Sequence, residues 1–312
     1  HSVDDRVVTK EFASLLKKKK TVLCPTLVVY DNYNSVLSDS YQFAPGELSN
    51  THPTTAATVI DYPLPDTVIA KRLVARINSP AAKASVKSMD SIMMANLKIL
   101  ADAGVIIASG TDAGNIGTQH VSSYFIELAL MQKAGLDNWQ LLQASTINAA
   151  RAVGQEKEWG SISKGKIANL LLLERNPLDS IGALQQIHTV ISKGVMIDRD
   201  SVLTWPAADL AQVQLNAYNA HDLEGFLAPY SDDVEVYTFP DKLLAKGKDQ
   251  MRKMYGFLEK APTLYCRLLN RIVQGNIVID HEEILGVPGA PHYGVAIYVT
   301  ENGKIKKVFF PE

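Results

Sequence analysis

The chain has 312 residues, and at about 150 residues per domain this length predicts two domains. Hydrophobic residues make up 46% and charged residues 21%, a balance that excludes a disordered chain, a collagen-like repeat and a disulfide-stapled miniprotein. With 31 basic against 33 acidic residues the net charge is -2, so no basic field is present to attract nucleic acid or an anionic membrane surface. Cys24 and Cys266 lie far apart and outside any CxxC pair, which argues against a disulfide framework without identifying a compartment. No apolar run approaches the ~20 residues that span a bilayer.

The chain begins HSVDDRVV, without Met and without an apolar leader, and reads as the C-terminal part of something longer. Asp4 to Lys20 is predicted helical, with Val7, Val8, Phe12, Leu15 and Leu16 at helical spacing and Lys17 to Lys20 as a solvated last turn. The apolar run Val22 to Tyr30 predicts a strand covered on both faces, as in a parallel sheet. From Asp31 to about Lys87 the pattern breaks into a Tyr- and Pro-bearing excursion, too long for an ordinary connection and of the kind that covers sites.

Helical spacing returns over Ser88 to Ala103, with Met89, Met93, Leu97 and Leu100 on one face and Gly104 as terminator. VIIAS is a second buried strand running into GTDAG. Val121, Tyr124, Phe125 and Leu128 mark the next helical face, and Asn138 to Ala152 a further helix. Alternating helices and buried strands imply right-handed crossovers and a parallel sheet. From Gly160, GSISKGKIANLLLLE and HTVISKGVMID read as short strands broken by Gly165 and Gly194, and Trp205-Pro206 as a linker.

The remainder predicts a separate α+β unit. Leu210, Val213, Ala217 and Tyr218 form one helical face, and Met251, Met254, Tyr255 and Leu258 another. Four strand candidates follow, TLYCRLLNRIV, NIVIDHEEI, YGVAIYVT and KIKKVFF, with Gln274-Gly275-Asn276 and Asn302-Gly303 as turns between the outer pairs. The expected organisation is 1–158, an α/β barrel part; 159–206, a small β return segment and linker; and 207–312, the α+β unit.

VIIASGTDAG is the strongest chemical motif. A carboxylate where a buried parallel strand ends occupies the usual catalytic position of a β/α barrel, and Asp112 stands there between Gly110 and Gly114, whose lack of side chains lets a ligand approach. From spacing alone, Asp112 capping the following turn is an equal reading. GTDAGNIG, LMQKAGLDNWQLLQASTINAARAVG and GSISKGKIANLLLL together resemble the amidohydrolase superfamily in its imidazolonepropionase-like branch, in order and spacing over about 190 residues. The resemblance implies the C-terminal part of a TIM-like (β/α)8 barrel with a β-sandwich remnant, Asn169 standing where the family usually has Asp. It implies metal-assisted hydrolysis of a C–N (amide) bond in a small-molecule substrate, with a divalent metal, most simply zinc. Asp112 would bind the metal and take the proton of the attacking water. His1 would be a metal ligand, a tag remnant being the alternative, and Tyr30 and His120 would face the substrate. The family's remaining His and Lys ligands are absent, so the site in this chain is incomplete against the usual three or more.

AYNAHDLEGFLAPYSDDVEVYTFP, GKDQMRKMY and the hairpin-rich end resemble the NTF2-like, SnoaL-like α+β cone. In that alignment the catalytic Tyr of the ketosteroid isomerases falls at Gln214 and their general base near Thr238 or Phe239, which removes that chemistry. Asp280, His281, Glu282 and Glu283 line a pocket or, more simply, alternate toward solvent. The resemblance implies a binding or oligomerisation module, and hence a homo-oligomer. The second functional reading is accordingly a non-catalytic NTF2-like module carried on a barrel remnant.

Overall fold

A computed structural model describes residues 6–38, 40–43, 47, 51–60, 68–198, 205–289 and 291–311. The chain divides into two compact units: His1–Gln42 with Leu64–Arg199, and Phe43–Pro63 with Asp200–Glu312.

In the first unit, α1 (Lys10–Lys18) is opened by Thr9, whose hydroxyl accepts the Phe12 N–H at 3.2 Å. It buries Ala13, while Val7, Phe12 and Leu15 remain exposed. Two short strands, β1 (Val22–Leu23) and β2 (Ile106–Ile107), pair in parallel, Val22 opposite Ile106. The expected strand through Tyr30 is corrected. Pro25 follows β1 closely, Thr26 has φ +50, and α2 (Val28–Leu37) begins at once. The segment from Asp31 to Lys87 is also not one irregular excursion, because its described residues are mostly helical: the rest of α2, α3 (Pro53–Ile60), α4 (Val68–Ile77) and the start of α5 (Pro80–Asp102). Ser79 caps α5, accepting the Ala82 N–H at 3.2 Å, with Pro80 at its first position, so this helix starts eight residues before the apolar stripe predicts.

Met93, Leu97 and Leu100 of α5 pack with Leu27, Ile107, Leu128, Met131 and Leu141 in one apolar core. The helix after GTDAG, α6 (Ser122–Lys133), presents a different face from the predicted one. Ser123, Glu127, Leu128 and Met131 are buried, whereas Val121 is 46% exposed. The next helix breaks at Thr146 into α7 (Asn138–Ser145) and α8 (Ile147–Ala152), the first opened by a capping box of Asp137 and Gln140. A three-stranded antiparallel sheet follows, β3 (Leu170–Leu173), β4 (Ile187–Ser192) and β5 (Val195–Ile197). Asn169 is structural here: its Oδ1 accepts the Lys193 N–H at 2.8 Å and holds the β4–β5 turn.

The second unit is a six-stranded sheet curled around helices. Its strands are β6 (Tyr230–Thr238), β7 (Lys242–Lys246), β8 (Tyr265–Gln274), β9 (Ile277–Leu285), β10 (His292–Glu301) and β11 (Lys304–Phe310), in the order β7-β6-β11-β10-β9-β8. β6 and β11 are parallel and the other pairs antiparallel. The β10–β11 hairpin turns on Asn302 (φ +51) and Gly303 (φ +71), the doubly positive pair that a type I′ turn requires. Helix α9 (Ala207–Asn219) fills the concave side with α10 (Leu223–Leu227) and α11 (Lys248–Tyr255), around Leu210, Phe226, Tyr230, Val278 and Ile305.

A continuous hydrogen-bond chain ties the sheet to α9 and to the head of α3. Arg271 grips Asp280 with two bonds of 2.7 Å and donates to Gln212 Oε1 at 2.8 Å. Gln212 donates to Asn216 at 2.8 Å, and Asn216 to the carbonyl of Pro53, at the head of α3, at 2.7 Å. Asp280 is wholly buried, and Glu282 and Glu283 are each only 9% exposed, so the solvent-facing reading of these carboxylates is corrected. On β9 only His281 of the four faces solvent. Replacing Asp280 by Ala leaves the largely buried Arg271 cation, its side chain 15% exposed, without its counter-charge. We expect a loss of about 3–5 kcal/mol in denaturant unfolding of the second unit, whereas Arg271→Leu with Asp280→Leu returns close to the wild type. Equal losses in the single and double variants would show that the pair is not what holds this region.

Candidate active site

The parallel pair sets the place of the first unit's chemical residues. Beyond β2 the chain remains extended for two residues, with the Ala108 N–H bonded to Leu23 O at 2.9 Å and the Ser109 N–H to Ala144 O at 3.1 Å. It then enters a tight loop closed by Asn115 N–H to Asp112 O at 3.3 Å and Gly114 N–H to Thr118 O at 3.1 Å. Asp112 occupies the left-handed region at φ +54, which Asp adopts more readily than most residues, and its carboxylate is exposed. Asn115 Nδ2 lies 3.5 Å from its Oδ2.

The glycines around Asp112 do different things. A Cβ on Gly114 would meet open space, leaving the approach to the carboxylate clear. At Gly110 a Cβ would fall 2.4 Å from Cys24 Sγ, so this glycine is required by packing between the strand ends, not by a ligand. The thiol it accommodates is pushed up by burial, reinforced by the negative charges of Glu127 and Asp112, and stays protonated rather than serving as a nucleophile.

Of the other sequence-predicted residues, His120 is exposed in the same loop, and Tyr30 is half-buried on α2 and packed against the apolar core. His1 lies outside the described residues. Among the described residues no three His, Cys, Asp or Glu side chains come together as a metal shell. Asp112 by itself does not fit a metal.

Sequence reasoning missed Glu127. It sits fully buried on α6, and its Oε2 accepts the Val28 N–H at 2.8 Å. α2 has no side-chain cap of its own, so a carboxylate 99 residues away caps it. Burial pushes Glu127 up to about 7, against the bonds from the Val28, Leu27 and Thr26 amides, which pull it down. Its Oε1 is buried without a partner. The signal that finds it is a charged residue on the stripe Ser123–Glu127–Met131 at i, i+4, i+8.

A carboxyl with a raised folded-state value holds its proton while the unfolded chain releases it. Below about pH 4.5 both states are protonated and Glu127 has no pH-linked effect. As pH rises from there through about 7, the native state loses ground by roughly 3 kcal/mol. Glu127→Gln removes this slope. We therefore expect the stability difference, variant minus wild type, to grow in the variant's favour between about pH 5 and pH 8 in denaturant titrations. A difference that stays flat across this range would show that Glu127 does not titrate there.

In the second unit a cavity of about 140 Å³ opens among Tyr218, Phe226, Tyr255, Glu282 and Tyr298, with Gln214 at its inner wall. Gln214, at the isomerases' tyrosine position, is buried and bonded to Tyr298 and Tyr230. Phe239 is 56% exposed, and neither it nor Thr238 lines the cavity.

Residues 48–197 match the amidohydrolase family, and residues 211–308 match the SnoaL-like domain. An imidazolonepropionase from Shouchella clausii is 33% identical over 114 residues, 35% of this chain and 25% of that protein. A 5-methylthioadenosine/S-adenosylhomocysteine deaminase from Teredinibacter turnerae is 30% identical over 101 residues, 30% of this chain and 22% of that protein. A solved Xaa-Pro dipeptidase with methionine in its active site is 21% identical over 61% of this chain and 38% of its own, with a TM-score of 0.42. The chain thus spans about a quarter of the length of the curated relatives it matches. Its first unit carries the strand, carboxylate loop and return sheet expected of the C-terminal part of such a barrel, and its second the curled sheet of an NTF2-like cone. The chain thus carries an amidohydrolase-family match over residues 48–197 and a SnoaL-like domain match over residues 211–308.

Proposed function

We propose that this chain contributes the last strands of a hydrolase that cleaves a C–N bond in a small amide-type substrate. The observation that carries the reading is Asp112, an exposed carboxylate on a tight loop directly beyond a buried parallel strand, within the amidohydrolase segment. A matched relative named as a deaminase supports C–N chemistry.

In this reading Asp112 accepts the proton of the attacking water and returns it to the leaving nitrogen. The loop hydrogen bonds hold its backbone, and Gly114 leaves room for the substrate. His120, exposed on the same loop, and Tyr30 contact the substrate. The chain acts as a homo-oligomer. Metal chemistry belongs to the family, with zinc the simplest choice and His1 and Asp112 this chain's candidate ligands. The described residues alone do not make that site.

The test is Asp112→Asn in the intact enzyme, which keeps side-chain size and removes the base. Turnover should fall by about 100-fold or more while the melting temperature stays near that of the wild type. Retention of more than about a tenth of wild-type turnover refutes the role of Asp112.

The second reading, a binding module, is favoured by one observation: the cavity in the SnoaL-like domain has a buried carboxyl among its lining residues.

A further inference from the structure

The cavity of the second unit has an unusual charge arrangement. Gln214 Nε2 donates to Tyr298 Oη at 3.0 Å, so Tyr298 has its own proton to give, and Glu282 Oε1 receives it at 3.5 Å. Gln214 Oε1 takes the Tyr230 hydroxyl proton at 3.4 Å. The Gln214 amide and the Tyr230 and Tyr298 hydroxyls are therefore paired with one another and with Glu282, and the one carboxyl among the lining residues is Glu282, beside the Tyr218 and Tyr255 hydroxyls. No Lys, Arg or His is among the lining residues. Arg271, whose charge acts on Glu282, is held by two bonds to Asp280.

Four aromatic rings, Tyr218, Phe226, Tyr230 and Tyr255, are also among the lining residues and pack on one another. Phe226 lies 4.5 Å from Tyr255, 5.4 Å from Tyr230 and 6.0 Å from Tyr218, centroid to centroid. Ring faces attract cations, most strongly where water is excluded. A carboxyl with no cationic side chain beside it in the lining of an aromatic cavity is complementary to a positive charge. A cavity of about 140 Å³ is close to the ~150 Å³ that accommodates a benzene ring.

We propose that this cavity binds a small primary ammonium ligand with an apolar body of about six to eight non-hydrogen atoms, the ammonium on Glu282 and the body against Tyr218, Phe226 and Tyr255. The inference is independent of the hydrolase reading.

The groups that face Glu282 fix the pH behaviour. Asp280 on the same strand repels its charge. Arg271 and Cys266 on β8 and Tyr298 on β10 favour it, and Tyr218, Tyr230 and Tyr255 are pushed up by burial and stay neutral. Burial outweighs the favourable partners and pushes Glu282 up to about 7, so its carboxyl is near half-charged at neutral pH and an ammonium ligand draws it to the carboxylate.

Calorimetric titration of the whole chain with benzylamine and with its neutral counterpart benzyl alcohol tests this. Benzylamine should bind at least about tenfold more tightly than benzyl alcohol at about pH 8. Its affinity should weaken about tenfold by about pH 6 as Glu282 takes up its proton, while that of benzyl alcohol stays level. Glu282→Gln, which keeps the volume, should erase the preference for the amine. The proposal is overturned if the alcohol binds the wild type as tightly as the amine, if neither compound saturates the protein, or if amine binding is unchanged in Glu282→Gln. The comparison of the two compounds on the wild type needs no variant to fold.

Discussion

Taking a carboxylate out of water costs several kcal/mol, and three buried carboxyls organise this protein by the different ways in which that cost is met. Asp280 has a full counter-charge in Arg271 at 2.7 Å and is fully buried. Glu127 has no cation and relies on the amides at the start of α2. Glu282 has neither, only the Tyr298 hydroxyl and the Cys266 thiol. The order of support is also the order of consequence. The first carboxylate is a structural anchor, the second is a structural cap near its titration point, and the third is left as an acceptor open to a ligand.

The two units use the same device at different ranges. In the second, the Asp280–Arg271 grip continues through Gln212 and Asn216 to the carbonyl of Pro53, 163 residues from Asn216, and so ties α3 to the cone. In the first, Glu127 reaches α2 across 99 residues and caps a helix whose first residues, Val28 and Val29, are β-branched and by themselves favour a strand. In both cases one buried polar side chain specifies a local conformation that its own neighbourhood in the chain does not.

This explains which parts were legible beforehand. The α5 stripe, the four terminal strands and the Asn302-Gly303 turn depend on periodicity and on backbone freedom, which are local. β6 and β7 were missed because their buried Val234, Val236 and Ala245 are interspersed with acidic residues, lysines and exposed Leu243 and Leu244. The face of α6 was misjudged because its buried stripe includes Ser123 and Glu127, polar residues that a search for apolar spacing passes over. The helices between Asp31 and Lys87 were hidden by their prolines, two of which, Pro53 and Pro80, open helices instead of breaking them.

Sequence alone determined the amidohydrolase and SnoaL-like motifs and the candidacy of Asp112, because each rests on contiguous residues whose chemistry is read in order. Only the tertiary structure decided that Gly110 serves the Cys24 thiol, that Glu127 caps α2, and that Asp280 and Glu282 face inward to opposite fates. The physical reason is that the ionisation and the role of a buried group follow from the partners and the dielectric around it, and those are assembled from residues far apart in the chain.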